Sequence, residues 1–414
     1  MDIEIISIGD ELLIGQTVNS NAAWMGEQLL SIGAEVTWIT TVGDRVEYIE
    51  QALRIAETRA QIVLVTGGLG PTHDDITKKV ICQYFKSKLV LNESVLAAIK
   101  ERLQRRGIPL SESNRQQALV PENAGVIPNE IGTAPGLKFS RNGKVIYVMP
   151  GVPREMQLMM VNYILPEISS MLNGQVVKKK ILFTTGIAES VLFEKLGDIE
   201  AIEQYASIAF LPGLDGVKIR LLVKAKSESE AEERLQKAER LVRQNIEPYI
   251  YADDDVLIEK VIGDLLTEKK RTVAVAESCT GGLIANRLTN VSGSSLYFER
   301  GVVSYSNQAK IDLLGVPADL IEKYGAVSAE VAKAMAKGVR ERANTNYGIS
   351  TTGIAGPTGG SKEKPVGLVF IGYSDKNKTI YERHIFTRDR LANKYRFSQA
   401  ALNLLRREIL KDNG

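Results

Sequence analysis

The chain has 414 residues, 44% hydrophobic and 25% charged, the composition of a globular protein long enough for two to three domains. A net charge of +2 gives no whole-chain argument for binding nucleic acid or membrane, and no apolar stretch nears the ~18 residues of a membrane span. Two distant cysteines, Cys82 and Cys279, exclude a disulfide framework or a metal-ligand spacing, and the opening MDIEIISIGDELL lacks the basic and long apolar regions of a signal peptide, so a cytoplasmic location with reduced thiols is expected.

Residues 1–170 alternate apolar runs with helical periodicity. The runs 3–8, 36–41 and 61–66 read as buried parallel strands, with helices over 21–31, 46–59, 76–85 and 93–105. This rhythm predicts a doubly wound sheet with right-handed crossovers, which binds ligands at the carboxyl ends of its strands. Three polar or glycine-rich loops fall there: Gly9-Asp10-Glu11, Gly43-Asp44-Arg45, and Gly67-Gly68-Leu69-Gly70-Pro71-Thr72-His73-Asp74-Asp75. The plain reading of the last is a turn with a helix cap at Asp74 or Asp75. Carboxylates from three loops around a phosphate-cradling turn point further, to a divalent metal holding a phosphorylated ligand. His73 reads as an exposed loop histidine rather than a ligand.

Residues 171–252 change character. Strands over 177–184 and 216–226 and a charged amphipathic helix over 227–246 suggest a small α+β insert. That helix mixes Lys and Arg with Glu, which reads as a solvated face rather than a nucleic-acid surface. Asp253-Asp254-Asp255 reads as linker and helix N-terminal charge, not a metal cluster. From 253 a second α/β domain begins, with helices over 256–268, 280–289, 329–342 and 392–411. Its strands are expected near 272–275, 296–304, 347–352, 367–373 and 380–386. The fold class is therefore α/β: two doubly wound domains, 1–170 and 253–414, joined by the α+β insert 171–252.

The sharpest chemical feature is Ala-Glu-Ser-Cys-Thr-Gly-Gly at 276–282, where a strand gives way to a helix. Such a turn exposes the Ser278 hydroxyl and aims backbone N–H groups at a ligand. Ser278 as a simple helix N-cap is the bland alternative. Gly281 and Gly282 weaken the first helical turn and let something approach the backbone. The segment GVVSYSNQAK ends at Lys310, and a serine beside a lysine base is a nucleophile without histidine. Only two histidines exist, His73 and His384, neither near the serine in sequence. A third glycine-rich loop, GIAGPTGGSKEKP over 353–365, follows another strand and could cradle a phosphate. Cys279 is a rival nucleophile, because a helix N-terminus lowers a thiol pKa.

AESCTGG, GVVSYSNQAK and TTGIAGPTGG together resemble the C-terminal domain of the competence/damage-inducible CinA family. That domain is similar to bacterial nicotinamide-nucleotide amidases, and the resemblance implies hydrolysis of nicotinamide mononucleotide to nicotinate mononucleotide and ammonia. By motif, Ser278 is the nucleophile and Lys310 its base, with Tyr305 and Thr352 lining the active site. Substrate-binding positions implied are Cys279, Thr280, Gly281, Gly282, Gly356 and Arg390. Arg388 stands where the family has glycine, so either Arg388 or Arg390 reaches the substrate phosphate. No cofactor is required for this reaction.

GDELL, VGDR, GGLGPTHDD and PGVPREM resemble the molybdopterin-binding domain in the version fused in CinA. The implied activity is ADP-ribose pyrophosphatase, yielding AMP and ribose 5-phosphate. Leu69 stands where the molybdenum-cofactor enzymes have threonine, which favours a nucleotide over molybdopterin. Asp44 and Asp75 take catalytic positions and, with Asp74 and Glu11, are expected to hold a divalent cation (Mg, Mn or Co). Gly67, Gly68, Gly70 and Asn21 are expected to bind substrate, with Asn19 and Arg154 lining the same pocket. The expected partners are the two nucleotides and a second copy of the chain as a homodimer, without membrane or nucleic acid. The rival expectation is a molybdopterin-binding module with a regulatory C-terminal domain.

Overall fold

A computed structural model describes residues 1–70, 75–172, 174, 176–253 and 255–412. The chain forms two compact units, Met1–Lys178 with Val223–Glu233, and Lys179–Leu222 with Arg234–Gly414.

In the first unit, β1 (Ile3–Ile8), β2 (Val36–Val42), β3 (Ile62–Thr66), β4 (Gly125–Ile127), β5 (Gly136–Arg141) and β6 (Lys144–Met149) form a six-stranded sheet ordered β2-β1-β3-β6-β5-β4. β1 and β3 are buried at every residue, as strands covered on both faces must be. β2, β1, β3 and β6 run parallel, while β5 and β4 add an antiparallel edge. Side chains alternate across β1. Ile3 and Ile5 pack with Met25 and Leu29 of α1 (Ser20–Ser31); Ile6 and Ile8 pack with Ile49 and Leu53 of α2 (Val46–Arg59). α3 (Thr77–Tyr84) follows the loop after β3, and α4 (Glu93–Arg105) begins at Asn92, whose side chain accepts the Val95 amide hydrogen.

The segment 176–252 contributes β7 (Val176–Thr184), β8 (Ser207–Pro212), β9 (Val217–Ala225) and β10 (Ile250–Ala252), ordered β8-β9-β7-β10, and the helix α5 (Glu228–Ile246). β8 and β9 are an antiparallel hairpin, in register from Ser207↔Leu222 to Pro212↔Val217.

The C-terminal part of the second unit runs α6 (Ile258–Glu268), β11 (Val273–Glu277), α7 (Leu283–Thr289), β12 (Phe298–Val303), α8 (Asn307–Leu314), α9 (Ala329–Ala343), β13 (Tyr347–Gly353), β14 (Leu368–Ser374), β15 (Thr379–Ile385) and α10 (Arg390–Lys411). The sheet order is β12-β11-β13-β14-β15. The first three strands are parallel; β14 and β15 are antiparallel. Val273 and Val275 face a core with Ile262, Phe397, Leu402 and Leu405, while Ala274 and Ala276 face Met335 and Val339 of α9. Each large apolar side chain so buried stabilises by about 1.5–3 kcal/mol.

Two local outcomes differ from the sequence pattern. α7 starts at Leu283 rather than near 280, because Gly281 (φ 64°) and Gly282 (φ 93°) are left-handed and hold the turn open. Lys310 rides a helix, α8, which the strand-like run before it concealed. α8 opens on Ser306, whose hydroxyl accepts the Ala309 amide hydrogen at 3.0 Å.

Candidate active sites

Ser278 follows the last residue of β11 directly, and its N–H is held by the Thr351 carbonyl at 3.0 Å. Lys310, 1% exposed, points its Nζ at Ser278 Oγ across 3.2 Å. The same Nζ donates to the carbonyls of Ser304 (2.9 Å) and Tyr305 (3.1 Å). Burial lowers the Lys310 pKa. When neutral, the amine keeps two N–H for these two carbonyls. Its lone pair is then left for the Ser278 hydroxyl proton, the arrangement a general base needs.

Glu277 explains why the serine is available. Its carboxylate, on a residue 1% exposed, accepts the amide hydrogens of Gly282 (3.0 Å), Ile284 (3.1 Å) and Ala285 (2.8 Å). It therefore satisfies amides at the start of α7, whose N-cap position is Gly282, so Ser278 is not called on to cap it. Sequence reasoning missed this residue. The available signal was an acid ending the apolar run TVAVA, which burial obliges to find donors.

The other residues of the motifs take distinct places. Cys279 is buried, and burial pushes its thiol up to about 12, the opposite of the lowered pKa that a nucleophilic cysteine has. The Thr280 hydroxyl is buried against that of Thr351 at 2.7 Å. Thr352, also buried, donates its hydroxyl to the Ala326 carbonyl at 2.7 Å. Tyr305 reaches Lys310 through its backbone carbonyl, while its side chain is 65% exposed. Arg390 donates to the Gly356 carbonyl at 2.7 Å, and buried Asn393 to the Ala355 carbonyl at 3.0 Å, so the start of α10 holds the glycine-rich loop. Arg388 is exposed. Lys394, which the motifs did not single out, is half-buried, with no hydrogen bond or ion pair among the described residues. Its Nζ lies 3.5 Å from where a Gly281 Cβ would stand. His384 pairs with Glu382 on β15, at the far edge of the sheet.

In the first unit, Glu11, Asp44, Gly67, Gly68, Gly70 and Asp75 line one cavity of about 460 Å³, together with Thr133 and Glu155. Asp10 and Asp44 grip one another: Asp10 N–H donates to Asp44 Oδ2 (3.0 Å) and Asp44 N–H to Asp10 Oδ1 (3.3 Å). A Cβ at Gly67 (φ 117°) would meet the Ile8 backbone carbonyl at 2.1 Å, so the loop requires glycine there. Burial, aided by the charges of Asp10, Glu11 and Asp75, raises the Asp44 pKa, although the Asp10 N–H opposes it. Such crowding is what a cation relieves. Among the described residues no group of three His, Cys, Asp or Glu side chains is placed to hold a metal ion; Asp74 and His73 lie outside those residues. The expected set of Glu11, Asp44, Asp74 and Asp75 is therefore not assembled as a metal centre among the described residues; Glu11, Asp44 and Asp75 share the cavity as separate carboxylates. Asn21 donates to the Gly151 carbonyl at 2.8 Å behind the cavity, Asn19 caps α1, and Arg154 is exposed.

The description "CinA C-terminal domain" matches residues 256–409, "Probable molybdopterin binding domain" residues 4–170, and "Damage-inducible protein CinA KH domain" residues 179–252. A CinA-like protein of Chloroherpeton thalassium is 45% identical over 412 residues, covering 97% of this chain and 98% of its own. The CinA-like protein of Dictyoglomus thermophilum is 41% identical over 410 residues, covering 99% of this chain and 100% of its own. Among solved structures, the competence/damage inducible protein CihA from Agrobacterium tumefaciens is 40% identical over 36% of this chain and 91% of its own, with a TM-score of 0.35. No helix among the described residues is long and apolar enough to cross a membrane.

Proposed function

This chain belongs to the CinA family, with a molybdopterin-binding-like N-terminal domain, and from that premise we propose that its C-terminal domain is a serine–lysine amidohydrolase acting on nicotinamide mononucleotide. The observation that carries this reading is the 3.2 Å approach of Lys310 Nζ to Ser278 Oγ in a buried setting. Lys310 takes the hydroxyl proton as Ser278 Oγ bonds to the carboxamide carbon. The amides of Gly282, Ile284 and Ala285 are occupied by Glu277, and backbone N–H groups around Cys279–Gly281 are proposed to face the oxyanion. Collapse expels ammonia, which receives its proton from Lys310. Water, deprotonated by the same amine, then cleaves the acyl-serine to the carboxylate. Lys394, with no hydrogen bond or ion pair among the described residues and its Nζ over this turn, is the cation proposed for the substrate phosphate. Ammonia release from nicotinamide mononucleotide by the wild-type chain and its Ser278→Ala variant tests the reading.

For the N-terminal domain we propose metal-assisted hydrolysis of ADP-ribose to AMP and ribose 5-phosphate. Asp44 and Asp75 would hold the divalent cation, which when bound offsets charge on the pyrophosphate. Gly67, Gly68 and Gly70 let phosphate oxygens come against the backbone of the cavity floor. The match of residues 4–170 to a molybdopterin-binding description favours one alternative, a pterin-binding module. It predicts copurified pterin and no AMP from ADP-ribose. A cytoplasmic location belongs to the same proposal.

A further inference from the structure

The hairpin turn between β8 and β9 reads Gly213-Leu214-Asp215-Gly216. Two glycines around two residues is the loop pattern with which K-homology domains clamp a nucleic-acid backbone. In this chain the loop has a different occupant. Asp215 Oδ1 accepts the Tyr395 hydroxyl at 2.5 Å, and the Gly213 carbonyl accepts from Arg396 Nη2 at 3.2 Å. The turn is closed by Gly213 N–H on the Gly216 carbonyl at 2.8 Å. It is also pressed onto β7: a Cβ on Gly216 (φ 145°) would stand 1.9 Å from the Thr184 carbonyl.

A buried polar chain continues the contact. Gln399 Nε2 donates to Thr185 Oγ1 (3.2 Å), and Gln399 Oε1 accepts from Arg287 Nη2 (2.7 Å). Arg287, on α7, also donates to Glu259 (2.8 Å) and Ser398 (2.9 Å), and its guanidinium lies 4.7 Å from the Tyr395 ring centre. Both residues gripped by the loop sit on α10, directly after Lys394 and within two turns of Arg390 and Asn393. Arg390 and Asn393 there hold the Gly356 and Ala355 carbonyls, and Lys394 stands over Gly281.

We propose that the Gly213–Gly216 loop is an intramolecular clamp whose partner is α10, and that Asp215 and Tyr395 are positioning residues for the substrate-binding side of the amidase site. The catalytic part of this claim rests on the amidase reading above; the clamp itself does not. Helix starts fray unless tied down, and a hydrogen bond to a carboxylate is about twice as strong as a neutral one. Ser278 and Lys310 are set by β11 and α8 instead. Loosening the clamp should therefore weaken substrate binding and leave the chemical step in place.

The test uses the full chain and Asp215→Ala, Tyr395→Phe, the double variant, and Asp215→Asn, which keeps an acceptor. Amide hydrogen exchange should quicken in 353–360 and 390–394 for Asp215→Ala and Tyr395→Phe, with the double variant no worse than either, and should stay near wild type for Asp215→Asn. KM for nicotinamide mononucleotide should rise about tenfold with kcat within about twofold. Unchanged exchange in 353–360 overturns the clamp, and so does quickening that is equal in β11 and α9. Binding of a single-stranded RNA oligomer by the wild type that Asp215→Ala alters also overturns it. If the wild type releases no ammonia, the amidase reading falls and the exchange measurement still decides the clamp.

Discussion

Glu277 relieves Ser278 of capping the helix that follows it. The glutamate carboxylate takes three amide hydrogens of that helix start, and the serine hydroxyl is left at 3.2 Å from Lys310 Nζ. Adjacent residues on one turn thus divide structure from chemistry.

Ser278→Ala is accordingly expected to remove ammonia release by several orders of magnitude, because a nucleophile and its base act as a unit. It should cost less than the ~1 kcal/mol of a lost helix cap. Thermal unfolding and an ammonia assay check both halves. A variant that unfolds markedly earlier would put the cap back on Ser278.

Glu277→Ala should behave in the opposite way. Three amide hydrogens lose their buried acceptor, and an unsatisfied buried group costs roughly 1–3 kcal/mol. A fall in unfolding free energy of at least about 2 kcal/mol is expected from denaturant titration, with Glu277→Gln intermediate. Equal stability of wild type and Glu277→Ala would mean that the turn does not depend on this carboxylate.

Amidase activity should rise with pH through a value below the ordinary 10.5 of lysine, since burial holds the Lys310 amine down. The folded state then binds fewer protons than the unfolded chain between those two values. This group's contribution to stability therefore grows with pH across that window and is least below the folded value. The pH profile of kcat checks the limb. Lys310→Arg, which cannot deprotonate, should show no limb and almost no activity.

Lys394→Ala should weaken turnover of nicotinamide mononucleotide far more than that of nicotinamide riboside, which lacks the phosphate. The ammonium has no protein partner among the described residues, so little stability should be lost. A loss of about tenfold or more in kcat/KM for the nucleotide alone is the expected result. Equal losses on both compounds would remove the phosphate assignment.

Chelator is expected to stop ADP-ribose hydrolysis and leave ammonia release unchanged, because a serine–lysine pair needs no cation. Asp75→Asn should mimic the chelator at the first site only. Loss of both reactions together would count against the serine–lysine assignment. Persistence of both would make the acidic loops mere turns.

The local record in the sequence was rich. Periodicity alone places helices over 46–59 and 93–105, where the structure has α2 and α4. Strand-end glycine and acid motifs named Glu11, Asp44, Gly67, Gly68, Gly70 and Asp75, which share one cavity, whereas Asn21, expected with them, does not line it and Asp74 lies outside the described residues. Period-two and period-3.6 patterns are properties of short windows, and a motif at a strand end needs only its neighbours to be recognised. Partnership across the fold is a different matter. Tyr395 and Asp215 lie 180 residues apart, and nothing in either window indicates the other. The contact of Arg390 with the Gly356 carbonyl and the capping by Glu277 are equally decided by which groups packing brings within 3 Å or so. Hydrogen bonds and burial act over that range whatever the sequence separation. Residue types and local elements were thus determined by the sequence by itself, while which of these side chains pair with one another was decided only by tertiary packing.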